Sequence, residues 1–125
     1  MKLQFETGEQ WLDGDVPVIW IAGELDLATR EQVESRLTEL ATTQSSLIVD
    51  LRRCTFIDSS ALSLFTQLHR DLASRNGDSP RLALLVDNPD VGRSIELAGL
   101  DRLIPIYTRP ETALSGLRGH QASGA

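Results

Sequence analysis

The chain has 125 residues, 41% hydrophobic and 24% charged, which fits one globular domain with its own buried core. Its net charge of −6 argues against broad binding to nucleic acid or to an anionic membrane surface, both of which select basic patches. The single cysteine, Cys54, excludes an internal disulfide, and Lys2 is the only lysine among 12 basic residues, so no phosphate-binding Gly-Lys loop and no internal Schiff-base lysine exists.

Leu3 to Thr7 reads as a short edge strand, and Gly8 to Asp15 as a polar turn in which Gly14 permits a tight bend. Val16 to Ala22 is a strand, apolar on both faces through Val18-Ile19-Trp20-Ile21, as expected inside a helix-covered sheet. Thr29 to Thr42 is a helix, with Thr29 and Gln32 as a capping box and an apolar stripe of Val33, Leu37, Leu40 and Ala41. Leu47 to Leu51 is a buried strand, after which Arg52-Arg53 reads as a solvated turn. Ala61 to Arg75 is the next helix, with its stripe at Ala61, Leu64, Phe65, Leu68 and Leu72 and a stop at Asn76-Gly77.

Leu82 to Val86 is a further apolar strand, and Asn88-Pro89 opens a helix that Gly99 ends. Leu103 to Tyr107 is a last strand and Thr108 to Leu117 a last helix. Strands alternating with helices predict an α/β domain on a mainly parallel mixed sheet of about five strands with about four helices. The first two strands pair antiparallel across the Gly14 turn. The domain is expected over residues 1–118, with a disordered tail over 119–125. No apolar run nears the roughly 20 residues of a membrane span. Met1 to Glu6 has no signal-peptide core, and one free thiol suits the cytoplasm.

Asp58-Ser59-Ser60 is the principal candidate site. It places two hydroxyls at a helix N-terminus, where N–H groups are unpaired and the dipole favours negative charge. Helix capping by Asp58 or Ser59 accounts for part of it and leaves Ser60 available to carry a phosphate. A hydrolase is not expected: there is no Gly-flanked elbow, and His69 lies about 13 Å along the helix from Ser60. A phosphoryl-accepting aspartate at Asp50 or Asp58 would need an acidic pair for Mg²⁺ and a late lysine, and neither is present. His69, His120 and Cys54 do not cluster, so no metal or other cofactor is expected. The turn at Gly23-Glu24-Leu25-Asp26 follows a parallel-type strand, as does Asp58-Ser60. Both are therefore expected at the ligand-gathering end of the sheet. Leu62 lies off its helix stripe and is a candidate interface anchor. Trp20 reads as core, Trp11 as part of a polar turn, and Cys54 as a buried apolar residue.

With these residues placed, the chain resembles the STAS domains of bacterial anti-sigma factor antagonists over about residues 3–117. The segments that carry the likeness are Gly23-Glu24-Leu25-Asp26, Ile48-Val49-Asp50-Leu51 through Phe56-Ile57-Asp58-Ser59-Ser60-Ala61-Leu62, and Ala98-Gly99-Leu100. The resemblance implies a non-enzymatic domain that binds an anti-sigma factor serine kinase and so frees a sigma factor. It implies phosphorylation at Ser60, which ends binding, and restoration by a PP2C-type phosphatase. Asp26, Asp58, Ser59 and Leu62 are the expected partner-binding residues. The family usually has glycine where this chain has Ala61, which places the kinase's approach in question. A scaffold or ligand-sensing module, or a constitutive antagonist that is not phosphorylated, are the alternatives.

Overall fold

The computed structural model describes residues 4–76 and 81–122. Strand β1 (Glu6–Leu12) pairs antiparallel with β2 (Val16–Leu25), joined by a bend in which Asp13 and Gly14 have φ of 50° and 79°. Parallel strands β3 (Leu47–Ile57), β4 (Leu82–Leu85) and β5 (Ile106–Tyr107) follow, in the sheet order β1-β2-β3-β4-β5. Helices α1 (Glu31–Thr43), α2 (Ser59–Asn76), α3 (Pro89–Leu97) and α4 (Pro110–Ala122) complete the expected mixed α/β fold. Leu100–Arg102 adds a turn of 3₁₀-helix.

Helices α1, α2 and α3 cover one face of the sheet, and α4 covers part of the other. The larger core joins Ile19, Ile21, Leu37, Val49, Phe65 and Ile95. The smaller joins Val18, Ile48, Leu85, Ala113 and Leu117. All five stripe residues of α2 are buried. So are all four of α1, as their helical spacing requires.

Several boundaries differ from the sequence reading. Gly8 to Leu12 is strand rather than turn, because its backbone pairs with Val16–Trp20, from Gly8↔Trp20 to Leu12↔Val16. Trp11 therefore lies on an edge strand, 40% exposed, with its Nε1–H donated to Glu9 Oε2 at 2.9 Å. Strand β3 continues through Arg52-Arg53 to Ile57, with two irregularities in its register against β2. The Arg53 guanidinium stacks 4.3 Å from the centroid of Trp20, which is half-buried there rather than core. Helix α1 opens without the Thr29–Gln32 box, and its cap residue is Arg30 with no side-chain cap bond. The backbone of residues 119–122, expected in the polar tail, continues α4. The expected strand start at Leu3, the stop at Gly77 and the tail at 123–125 lie outside the described residues.

Candidate functional site

Strands β2 and β3 are parallel neighbours, with Leu25 opposite Ile57, so the segments that leave their carboxyl ends stand side by side. Residue Gly23, near the end of β2, has φ of 98°, and an added Cβ there would lie 3.3 Å from Gln4 O and Phe5 Cα. A side chain would be strained on both counts. Of Gly23-Glu24-Leu25-Asp26, the first three are strand and only Asp26 begins the turn.

Strand β3 passes into α2 through Asp58 alone. The Asp58 carboxylate serves both segments. Its Oδ1 accepts from Ser60 N at 3.0 Å, Ala61 N at 3.1 Å and Ser60 Oγ at 2.7 Å. Its Oδ2 accepts from Leu27 N at 3.0 Å, 31 residues away in sequence. Burial pushes this carboxyl upward, but the bonds from the Ser60 hydroxyl and from the N–H groups of Ala61, Leu27 and Ser60 outweigh it. They hold Asp58 below its ordinary pKa. Asp58 is thus the cap of α2 and the tie between the two turns.

The Asp26 turn is closed by its own side chains. Asp26 Oδ1 accepts from Ala28 N and Thr29 N, each at 3.0 Å. Thr29 Oγ1 donates to Glu24 O at 2.7 Å and accepts from Asp26 N at 2.9 Å. This Asx-type turn replaces the capping box expected at Thr29. Arg30 then reaches across to α2, its Nη1 donating to Ser60 O at 2.9 Å.

The expected site residues Asp26, Asp58, Ser59, Ser60 and Leu62 therefore come together at one end of the sheet. Ser59 is exposed and Ser60 half-buried. Leu62 is half-buried against the larger core, so it is less available than its off-stripe position suggested. Leu27 is the freely presented apolar side chain, 71% exposed. The sequence reading missed both Leu27 and Arg30. The one local signal was an apolar residue directly after the Asp26 turn acid. Ala61 is 0% exposed and belongs to the larger core, so its methyl faces inward rather than onto the surface around Ser60.

Other candidates do not join this site. Asp50 is buried and held by Arg52, whose Nη2 and Nε donate to it at 2.8 and 3.0 Å. Helix α2 is unbroken, so His69 stays far along its axis from Ser60. Cys54 is buried, and that burial pushes its thiol pKa up. It is expected to react with a neutral-pH thiol reagent at least ~100-fold more slowly in the native protein than in urea. Equal rates, followed by absorbance, would contradict the buried placement. Among the described residues, no cluster of three or more His, Cys, Asp or Glu side chains is placed to hold a metal ion. No helix of the described residues is long and apolar enough to cross a membrane.

This geometry has counterparts. A family profile described as the STAS domain matches residues 12–113. An anti-sigma F factor antagonist of Paenibacillus polymyxa is 27% identical over 119 residues, covering 94% of this chain and 97% of that protein. The crystal structure of an anti-sigma factor antagonist from Mycobacterium paratuberculosis superposes with a TM-score of 0.80 at 27% identity, covering 92% of this chain and 95% of that one. The structure of the anti-sigma factor antagonist SpoIIAA in its unphosphorylated form gives a TM-score of 0.75 at 25% identity, covering 91% and 97%. A profile match over residues 12–113, on a fold shared over about nine-tenths of the chain with these two structures, makes this chain a member of the STAS domain family.

Proposed function

We propose that this domain is an anti-sigma factor antagonist. Unphosphorylated, it binds an anti-sigma factor that is a serine kinase and so releases a sigma factor; phosphorylation at Ser60 ends the binding. The domain is the kinase's substrate and ligand rather than an enzyme. A PP2C-type phosphatase restores the binding form, and the setting is the bacterial cytoplasm. The observation that carries this reading is the Ser60 hydroxyl at the N-terminus of α2, beside the exposed Leu27.

In the transfer, Ser60 Oγ forms a bond to the γ-phosphorus of ATP, the bond from that phosphorus to ADP breaks, and the Oγ proton passes to a base of the kinase. Asp58 does not supply that base. It is held ionised by three N–H groups and serves as cap and tie. A charge gain of about −1.5 to −2 at a helix N-terminus is tolerated by the dipole. The expected effect therefore falls on the partner surface and not on the fold. Asp26 and Ser59 shape that surface, and Leu27 and Leu62 supply its apolar part.

The inward methyl of Ala61 supports phosphorylation over a constitutive antagonist, because it adds no bulk beside Ser60. For the ligand-sensing alternative, an open concavity of about 880 Å³ lies at α3, lined by residues that include Asp87, Asn88 and Arg93. Ser60 is not among its lining residues, so the partner-binding reading is preferred. Incubation with ATP and a candidate anti-sigma kinase, followed by peptide mass spectrometry, is expected to place one phosphate on Ser60. Transfer to Ser59 alone, or none with a kinase that binds the domain, would reject the proposal.

A further inference from the structure

Arg30 belongs to the first helix boundary, yet its charge is spent on the second. Its Nη1 donates to the Ser60 carbonyl at 2.9 Å, and its Nε pairs with Glu34 Oε1 at 2.5 Å. These bonds use two of the five donors a guanidinium offers. The Arg30 side chain is 25% exposed and that of Glu34 44%, so this i,i+4 pair is partly solvated and weak. The carbonyl oxygen and Oγ of one serine lie within about 5 Å of each other by covalent geometry alone. Arg30 is therefore already anchored beside the hydroxyl that the proposed kinase modifies.

The unmodified site gives Arg30 a neutral carbonyl and a solvated carboxylate. A phosphate on Ser60 would offer three acceptor oxygens and close to two negative charges, the geometry for which a guanidinium is the preferred partner. It would also stand beside the Asp58 carboxylate, which now accepts the Ser60 Oγ proton at 2.7 Å and would lose that bond. The groups facing the phosphate would be Asp58 and the α2 N-terminus from one side, with Arg30, its partner Glu34 and the Asp26 turn from the other.

We infer that Arg30 is the phosphate-binding residue of the modified domain, moving from Glu34 to the Ser60 phosphate and offsetting the repulsion from Asp58. The inference rests on reading Ser60 as the phosphate acceptor. It explains how one surface could carry a dianion next to a carboxylate while the cap of α2 survives. Arg30 touches the product of the modification and takes no part in the transfer.

The test places phosphoserine at position 60 by nonsense suppression, with no kinase involved, and follows its ³¹P resonance against pH. The second phosphate pKa is expected below the value near 6 of free phosphoserine, and about half a unit higher in Arg30→Gln. Arg30→Lys should recover part of the shift, because it keeps the charge and loses the fork. Glu34→Gln leaves Arg30 in place and removes its competitor, so it should lower the phosphate pKa further. It also keeps the inference testable if Arg30→Gln fails to fold. Phosphate pKa values that agree within about 0.2 unit between the unsubstituted chain and Arg30→Gln would overturn the role of Arg30, as would a rise in Glu34→Gln. Neither result bears on whether a kinase chooses Ser60. Conversely, absence of kinase transfer to Ser60 overturns the proposed function and leaves the phosphate measurement intact.

Discussion

Replacing Asp58 with alanine is expected to lower the unfolding free energy by about 2–3 kcal/mol and the thermal midpoint by on the order of 10 °C. The carboxylate caps α2 through Ser60 N and Ala61 N, accepts the Ser60 hydroxyl, and ties down Leu27 N. Loss of a cap costs about 1 kcal/mol, and the Leu27 tie and the stranded hydroxyl add comparable amounts. Asp58→Asn should cost less, since asparagine caps as well as aspartate. The Leu27 amide should exchange at least ~10-fold faster in Asp58→Ala, because its acceptor is gone.

The same residue predicts a pH dependence. Its folded pKa lies below the ordinary value, so the folded state binds fewer protons than the unfolded one as pH falls. The stabilisation is complete above the unfolded value, about 4, and disappears as pH falls through the folded value. The gap in stability between the wild-type chain and Asp58→Ala should therefore narrow below about pH 4. A gap that stays constant from pH 7 to pH 3 in urea titrations would sink this account of Asp58.

The second large effect concerns binding. Ser60→Glu is expected to weaken affinity for the proposed anti-sigma kinase partner by about 100-fold, measured by calorimetry with nucleotide bound. A kinase docked on Ser60 brings nucleotide phosphate toward Oγ, so the new carboxylate meets a like charge within about 6 Å. At an effective dielectric near 20 that costs roughly 2–3 kcal/mol. Ser60→Ala keeps the surface neutral and should bind as tightly as the unsubstituted chain while accepting no phosphate. It loses the 2.7 Å bond to Asp58, which costs the fold about 1 kcal/mol. Unchanged affinity in Ser60→Glu, or lost affinity in a folded Ser60→Ala, would show that Ser60 does not gate the interface.

The inner elements were the most legible in sequence. The apolar runs at Leu47–Leu51 and Leu82–Leu85 are strand, and the stripes of α1 and α2 are buried residue for residue. The Gly8–Leu12 part of β1 reads as a turn because it lies on an edge strand, exposed or half-buried throughout. Polar residues there carry no alternating pattern, and pairing with β2 decides the conformation. The second half of β3 was missed for a related reason. Arg52 and Arg53 lie where the register is irregular, with Arg53 stacked on Trp20, so their side chains look like those of a turn. Thr29 illustrates a different failure. Its spacing to Gln32 suits a capping box, but Asp26 N donates to the Thr29 hydroxyl oxygen at 2.9 Å, while the hydroxyl proton goes to Glu24 O at 2.7 Å.

By itself the sequence determined the order of elements, the family resemblance and the place of Asp58-Ser59-Ser60 at a helix start. Periodicity and helix-start chemistry are local, and they act over a few residues. Only the tertiary structure decided how that site is built. The parallel pairing of β2 with β3 brings Leu27 within 3.0 Å of Asp58 and Arg30 within 2.9 Å of Ser60, across 31 and 30 residues of chain. It likewise decided that the Ala61 methyl points into the core and that Leu27, more than Leu62, is the exposed apolar side chain beside Ser60. Which side chains meet across a sheet depends on strand register and on the bulges that shift it. Neither is encoded in any one segment read alone.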